Sequence, residues 1–131
     1  MRIFSFLAFI LLLLSCSSDD VDSSNIVGKW KLTQVLADPG DGSGTFVDVE
    51  SNKTIIFLSD ETFSSNGNLC VFGSITPVTT EGVFSTEDEI IYPSTCESFA
   101  RIGLNYTIED GALTIFYQCI EACAEKYKKI A

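Results

Sequence analysis

Residues 104–117 constrain the fold of this chain more than any other part of its sequence. Apolar side chains at every second position lead up to Asp110-Gly111, a dipeptide typical of two-residue hairpin turns. With those two residues at the turn centre, the cross-strand pairs on one face are all apolar. The expected pairs are Ile108 with Leu113, Tyr106 with Ile115 and Leu104 with Tyr117, while Glu109 faces Ala112. The pattern predicts an antiparallel hairpin with one buried face.

Short β-rich segments separated by Gly, Asn, Asp, Ser or Pro fill the chain from Ile26 onward. In the first segment, Trp30 and Leu32 alternate with polar residues and share an inward face. Two further pairs of segments are residues 54–58 with 61–65 and residues 79–84 with 89–92. Together they predict an all-β domain, a small eight-stranded antiparallel up-and-down barrel, because closure removes exposed sheet edges.

The last segment, residues 119–130, fits two structures. As a helix it would have an apolar stripe formed by Ile120, Cys123, Tyr127 and Ile130. Its wet face would then carry Glu121, Glu125, Lys126 and Lys129. As a strand it would fold back after the short loop between Cys119 and Cys123, and opposed strand residues suit a disulfide better than residues four apart on a helix. We favour the strand.

The first 15 residues have the features of a secretory signal rather than of a fold. Arg2 supplies a positive charge, an apolar run extends to Leu14, and the small residue Ser15 precedes Cys16. The run is shorter than the roughly 20 residues that a spanning helix needs. The cysteine directly after it resembles the lipobox of bacterial lipoproteins, which implies cleavage before Cys16 and lipidation of its thiol. An ordinary signal peptide with an incidental cysteine is the alternative.

Residues 16–25 are expected to be a lipidated, flexible tether, and residues 26–131 the barrel domain. The tether is rich in Ser and Asp and cannot form a core. Its Ser17-Ser18-Asp19-Asp20 resembles the acidic tag that directs some Gram-negative lipoproteins to the cell surface, although a soluble linker would look the same. We expect a lipid-anchored protein of the cell envelope, in the outer membrane, with the surface-facing leaflet left open.

Charge and histidine content limit what the domain can do. The formal net charge of the chain is −10, so nucleic acid is not an expected partner, and contact with the membrane is expected through the lipid alone. The chain contains no histidine, which removes Ser-His-Asp and Cys-His catalysis and His-ligated metals. We therefore expect a monomer that is not an enzyme and that carries no cofactor.

Four cysteines remain once Cys16 is acylated: Cys70, Cys96, Cys119 and Cys123. An even number in an exported chain predicts two disulfides rather than a four-thiolate zinc site, which favours Cys-x-x-Cys pairs and a reducing compartment. If the strands form a meander, all four lie at the end of the barrel opposite Trp30. We favour Cys70–Cys96 and Cys119–Cys123, with the other pairings left open.

Val27-Gly28-Lys29-Trp30 carries a more specific resemblance. Together with a hairpin at residues 54–63, the Asn66-to-Cys70 turn and the Cys119-to-Cys123 segment, it resembles the lipocalin-like domains of bacterial lipoproteins, which start with Gly-x-Trp. The resemblance implies a barrel with a cavity. Lipocalins generally set an arginine from the end of the chain against that tryptophan, whereas this chain offers Lys126, Lys128 and Lys129.

Several residue groups are candidate sites, each with a plain structural alternative. An apolar pocket in the barrel would be lined by Phe57, Phe63, Phe84, Tyr106, Phe116 and Tyr117, although the same rings could simply fill the interior. Trp30 is more readily a structural plug than a ligand contact. Asp38 and Asp41 lack a full calcium ligand set, and residues 87–89 suit an exposed acidic turn better than a catalytic acid–base pair.

Two functions follow as hypotheses. The first is a lipid-anchored, lipocalin-like module that holds a small apolar or amphipathic molecule. The second is a closed barrel without a ligand that serves as a structural or protein-interaction unit of the envelope. Cavity volume separates them, because a void of about 300 Å³ or more is typical of small-molecule sites.

Overall fold

The computed structural model describes residues 21–97 and 102–131, so the predicted signal peptide and Cys16 lie outside the described part. The described residues form nine β-strands and no helix. The strands are β1 (Gly28–Ala37), β2 (Val47–Asp48), β3 (Thr54–Phe57), β4 (Thr62–Ser65), β5 (Thr80–Ser85), β6 (Ile90–Pro93), β7 (Leu104–Glu109), β8 (Ala112–Phe116) and β9 (Cys123–Lys129). Residues 119–130 therefore contribute a strand, as favoured from the sequence.

The strands close into the predicted eight-stranded antiparallel barrel. From β3 to β9 each strand pairs with the next, and β1 pairs with both β3 and β9. The two-residue β2 lies outside this count, because it pairs with β1 beyond the end of β3. Closure leaves the eight main strands without a free edge, which is how such barrels avoid edge-to-edge association.

The hairpin of β7 and β8 has the register expected from its sequence. Tyr106 faces Ile115, Ile108 faces Leu113 and Glu109 faces Ala112. Asp110 and Gly111 both have positive φ, at 50° and 74°, as the two central residues of a type I′ turn require. Strand β8 ends at Phe116, so the expected pair of Leu104 with Tyr117 lies beyond the ladder.

A β-bulge in β1 changes which residues face the interior. Opposite β9, the register shifts between Leu32 and Gln34. Before the bulge Trp30 and Leu32 point inward, and after it Val35 pairs with the inward-facing Glu125. An extra residue reverses the alternation of a strand. The second half of β1, after the bulge, therefore points a different set of side chains into the barrel than simple alternation would.

The end of the barrel at which β1 begins, here called the base, is plugged by Trp30. Its side chain is completely buried, and its indole Nε1 donates a hydrogen bond of 2.7 Å to the carbonyl oxygen of Ile26. The Nζ atom of Lys129 lies 5.3 Å from the centre of the indole ring and also donates to the carbonyls of Asp22 and Asn25. Of the three lysines near the end of the chain, Lys129 is thus the one that lies against the tryptophan.

Gly28 is required beside this plug for a steric reason. It has a φ of 132°, and a β-carbon there would lie 2.5 Å from the carbonyl oxygen of Ala131. The backbone at Gly28 and the backbone at Ala131 therefore lie closer together than a side chain at position 28 would permit. This explains the glycine of the Gly-x-Trp motif in this chain.

Aromatic rings fill the middle of the barrel. The Phe57 ring lies 5.7 Å from that of Phe63 and 5.1 Å, edge to face, from that of Phe84. Tyr106 is also buried. The sequence prediction was wrong for Phe116, which is 43% exposed, because the inward position in β8 belongs to its neighbour Ile115.

The opposite end, here called the mouth, carries both predicted disulfides. Cys70 is bonded to Cys96, and Cys119 is bonded to Cys123. All four lie in or beside connections at the end opposite Trp30. The first bridge fastens the long β4–β5 connection, residues 66–79, to the connection that follows β6. The walls of the mouth are therefore held by covalent bonds as well as by the sheet.

Candidate functional site

A buried carboxylate in the mouth is the centre of the candidate site. Strand β9 alternates so that Cys123, Glu125 and Tyr127 point into the barrel, and Glu125 is completely buried. An isolated carboxylate at such a position would be strongly unfavourable unless charged and hydrogen-bonding partners surrounded it. The structure supplies such partners from several elements.

Glu125 accepts hydrogen bonds on both carboxylate oxygens. The Nζ atom of Lys53 lies 3.0 Å from Oε1 and 2.8 Å from Oε2. The hydroxyl of Tyr117 donates to Oε2 at 2.8 Å, and that of Tyr127 donates to the same oxygen at 2.5 Å. The backbone amide of Gly73 donates to Oε1 at 3.2 Å. These bonds account for the roughly four acceptor sites of an ionised carboxylate.

Lys53 enters the site from the segment that precedes β3. Its side chain is only 6% exposed, and its ammonium group forms a salt bridge with Glu125, 72 residues further along the chain. Gly67 makes room for the aliphatic stem, since a β-carbon at Gly67 would lie 2.7 Å from Cγ of Lys53. The Asn66-Gly67-Asn68 turn that the sequence predicts is thus also one wall of the charged site.

The two tyrosines are held in their neutral form. Burial is the main cause that raises the pKa of both phenols well above the ordinary value of 10.0. The negative charge of Glu125 raises both further, as does the hydrogen bond that each phenol donates to it. Neutral phenols can donate to the carboxylate, whereas phenolates could not. The cluster is therefore a carboxylate with four donor groups around it.

The β4–β5 connection covers part of the mouth. Its Phe72 ring packs against Tyr117 with a centroid separation of 5.6 Å, and Gly73 follows with the amide that reaches Glu125. Leu69 anchors the same connection in the core, and its amide donates to the hydroxyl of the buried Thr80 at 3.0 Å. The first half of the connection, beside the disulfide of Cys70, is therefore attached to the barrel by these contacts.

A cavity of about 430 Å³ lies between this connection and the segment before β3. The Lys53–Glu125 pair forms part of its lining. The apolar part of the lining consists of Leu32, Val35, Val49, Ile75 and Pro77. The polar part consists of Glu50, Ser51, Asn52, Asn66, Ser74 and Thr76, with Gly67 and Gly73. The volume is within the range of about 300–1,000 Å³ that is common for small-molecule sites.

The cavity does not coincide with the aromatic set that the sequence suggested. None of Phe57, Phe63, Phe84, Tyr106 and Tyr117 lines it, and all five are buried. Tyr117 alone reaches the site, through its hydrogen bond to Glu125. Trp30 lies at the base, well away from the mouth. These rings fill the interior of the barrel, which is the structural alternative given for them above.

Sequence reasoning missed Lys53 and Glu125, although one signal was present. If residues 119–130 form a strand, then Cys123, Glu125 and Tyr127 share one face. An acidic residue between two inward-facing positions implies a buried carboxylate with a cationic partner. Nothing local in the sequence marks Lys53 as that partner.

The acidic candidates have structural roles. The Asp38 carboxylate accepts hydrogen bonds from the amides of Gly40, Gly42 and Gly44, and these bonds lower its pKa. Residues 87–89 form an exposed turn, in which Asp88 bonds to Ser85. Within residues 21–97 and 102–131 no group of three or more Asp, Glu or Cys side chains is arranged to hold a metal ion. The same residues include no helix that could cross a bilayer.

Comparison with protein-family models, curated proteins and solved structures finds no match to this chain.

Proposed function

We propose that this protein is a lipid-anchored lipoprotein of the cell envelope whose lipocalin-like barrel binds a small amphipathic molecule at its mouth. The observation that carries the proposal is the cavity of about 430 Å³ with apolar walls and the buried Lys53–Glu125 pair in its lining. Apolar walls with a few convergent polar groups are the usual composition of a small-molecule site. The proposal includes no catalytic step.

In this proposal the residues that follow the tether set how the barrel would face the membrane. Ile26 and Asn25 lie at the base, where Trp30 and Lys129 hold them. A lipid on Cys16 would therefore tether the barrel by its base, and the cavity at the other end would open away from the bilayer. Buried acyl chains contribute about 0.8 kcal/mol per methylene, so several chains would make the attachment essentially permanent.

A second function is favoured by a separate observation. Large apolar side chains are exposed around the mouth, among them Ile75 at 97% and Ile120 at 100%. Exposed apolar groups that cluster are typical of protein interaction sites. In this alternative the barrel is a structural or protein-interaction module of the envelope, without a bound ligand.

Native mass spectrometry of the protein purified from its own host tests the first function. A co-purifying small molecule, lost when the mouth is altered by Val35→Trp, would support it. The exposed position Val83 on the outer wall offers the control Val83→Trp, which should retain the molecule. Repeated recovery of the bare protein would favour the module without a ligand.

The anchor is tested separately with Cys16→Ser. This variant should appear in the soluble fraction and should not incorporate labelled fatty acid, while the parent chain should remain with membranes. Membrane retention of Cys16→Ser would contradict the lipid anchor and would leave the cavity argument untouched.

A further inference from the structure

We propose that the mouth cavity selects neutral amphiphiles whose polar group accepts a hydrogen bond, in preference to ligands with a carboxylate or an ammonium group. The inference rests on the proposed function, because it specifies the ligand class of the same cavity. It follows from counting the hydrogen-bonding capacity that remains unused around Lys53 and Glu125.

Glu125 has little capacity left for a ligand. Its two oxygens already accept from Lys53, Tyr117, Tyr127 and the amide of Gly73. An ammonium group placed beside this pair would meet the like charge of Lys53, would find the carboxylate of Glu125 occupied, and would have to give up its own hydration shell. Because an unpaired buried charge is strongly unfavourable, cationic ligands are disfavoured.

Lys53 has capacity left. An ammonium group has three N–H donors. Among the residues that the structure describes, both hydrogen bonds donated by the Lys53 ammonium group go to the carboxylate of Glu125. Lys53 is among the residues that line the cavity, so in this proposal its third N–H donates to a ligand oxygen. A carbonyl or ether oxygen at this point would complete the coordination of the ammonium group.

Charge around the cavity acts against an anion. Glu125 already compensates the charge of Lys53, and Glu50 on the rim adds a further negative charge. A carboxylate ligand would therefore enter a site with an excess of negative charge, in a chain whose formal net charge is −10. A neutral acceptor meets the remaining donor without that repulsion or the cost of desolvating an anion.

The walls accommodate the rest of such a ligand. Leu32, Val35 and Val49 come from β1 and the segment after β2, and Ile75 and Pro77 come from the β4–β5 connection. Burial of apolar ligand surface against them contributes about 25 cal/mol per Å². The whole site therefore fits a short apolar tail with an ester, ketone or amide carbonyl at its inner end.

The test uses three probes matched in size: methyl pentanoate, hexanoate and hexylammonium. The full chain, lipidated and embedded in lipid nanodiscs, is titrated with each probe near pH 7 and followed by ligand-observed NMR, with empty nanodiscs as the blank. We expect methyl pentanoate to bind about tenfold more tightly than either ion, which corresponds to about 1.4 kcal/mol. Binding of hexanoate or hexylammonium as tightly as the ester would overturn the inference. If none of the probes binds, the proposed function fails as well.

A double substitution tests whether the cavity is responsible for the preference for the ester. Lys53→Met/Glu125→Gln removes the donor and both charges, while glutamine can still accept from the tyrosines and from Gly73. It should lose the preference for the ester over a hydrocarbon of the same size. The control Glu109→Gln/Lys128→Met makes the same changes at exposed positions near the base and should retain it. An unchanged preference in the cavity variant would contradict the assignment, and if that variant does not fold, the ranking of the three probes on the parent chain decides.

Discussion

The two ends of this barrel are closed by different chemistry. At the base, one large apolar side chain, Trp30, occupies the interior and bonds only to a backbone carbonyl. At the mouth, Glu125 and Lys53 are buried as a charged pair with two tyrosines. The base is closed by a buried aromatic ring with the part-exposed Lys129 against it, whereas the mouth buries a pair of ionised groups beside a cavity.

Stability alone does not account for the charged pair at the mouth. Replacing a buried ion pair with packed apolar residues is often neutral or stabilising. A second large apolar side chain would close the mouth without the cost of burying two charges. A charged pair that lines a cavity is therefore consistent with the proposed binding role of the mouth, while Trp30 at the base serves the fold.

The largest expected effect is at the base. Trp30→Ala should lower the free energy of unfolding by about 5 kcal/mol, because it removes the largest fully buried side chain, leaves a void and abolishes the bond to Ile26. Urea denaturation measures the loss. The folded fraction should keep the probe ranking of the parent chain, and a changed ranking would show that the two ends are not independent.

At the mouth, breaking the ion pair should cost about 3–5 kcal/mol. Glu125→Ala leaves the Lys53 ammonium buried without its counter-charge and removes the acceptor of both phenols. Adding Lys53→Met to Glu125→Ala should recover a large part of that loss. A double-mutant cycle in urea measures the recovery, and a coupling energy near zero would argue against the pair seen in the structure.

Removing each disulfide in turn compares the stability that the two bridges give to the mouth. Replacing both cysteines of the Cys70–Cys96 bridge with serine should cost about 3 kcal/mol, since this bridge closes a loop of 26 residues. The Cys119–Cys123 bridge spans 4 residues, so its removal should cost about 2 kcal/mol. Thermal unfolding of the two paired serine variants checks this order. A larger loss from the short bridge would mean that native contacts of β9, rather than loop length, dominate.

The smallest effect is expected from alkaline pH. Tyr117 and Tyr127 have pKa values raised above 10.0, so their contribution to stability is complete below pH 10. As the pH rises above 10, the unfolded chain loses phenol protons that the folded chain keeps, and the free energy of unfolding falls. Denaturation at pH 8 to 11 should show this decline. Tyr117→Phe/Tyr127→Phe should decline less steeply. The raised pKa of Tyr106 still contributes to that decline, and the lowered pKa of Lys129 opposes it.

Most of the fold could be predicted because its signals are local. The alternation in β7 and β8 and the Asp110-Gly111 turn fix a register with neighbouring residues alone. The meander that follows from such hairpins then puts the four cysteines at one end. The aromatic character of Phe116 suggests an inward position, but the alternation of β8 turns Ile115 inward and Phe116 outward.

The site could not be predicted in the same way because its parts are far apart in the chain. The sequence by itself determined the barrel and its disulfide-tied mouth, since strand period and turn residues act over a few positions, and the meander they imply brings cysteines 26 residues apart to one end. Only the tertiary structure decided that Lys53 meets Glu125, 72 residues away, and that the bulge at Leu32 turns Val35 toward them. The physical reason is that a buried charge is tolerated only where its partner is present, and closure of the barrel is what brings that partner.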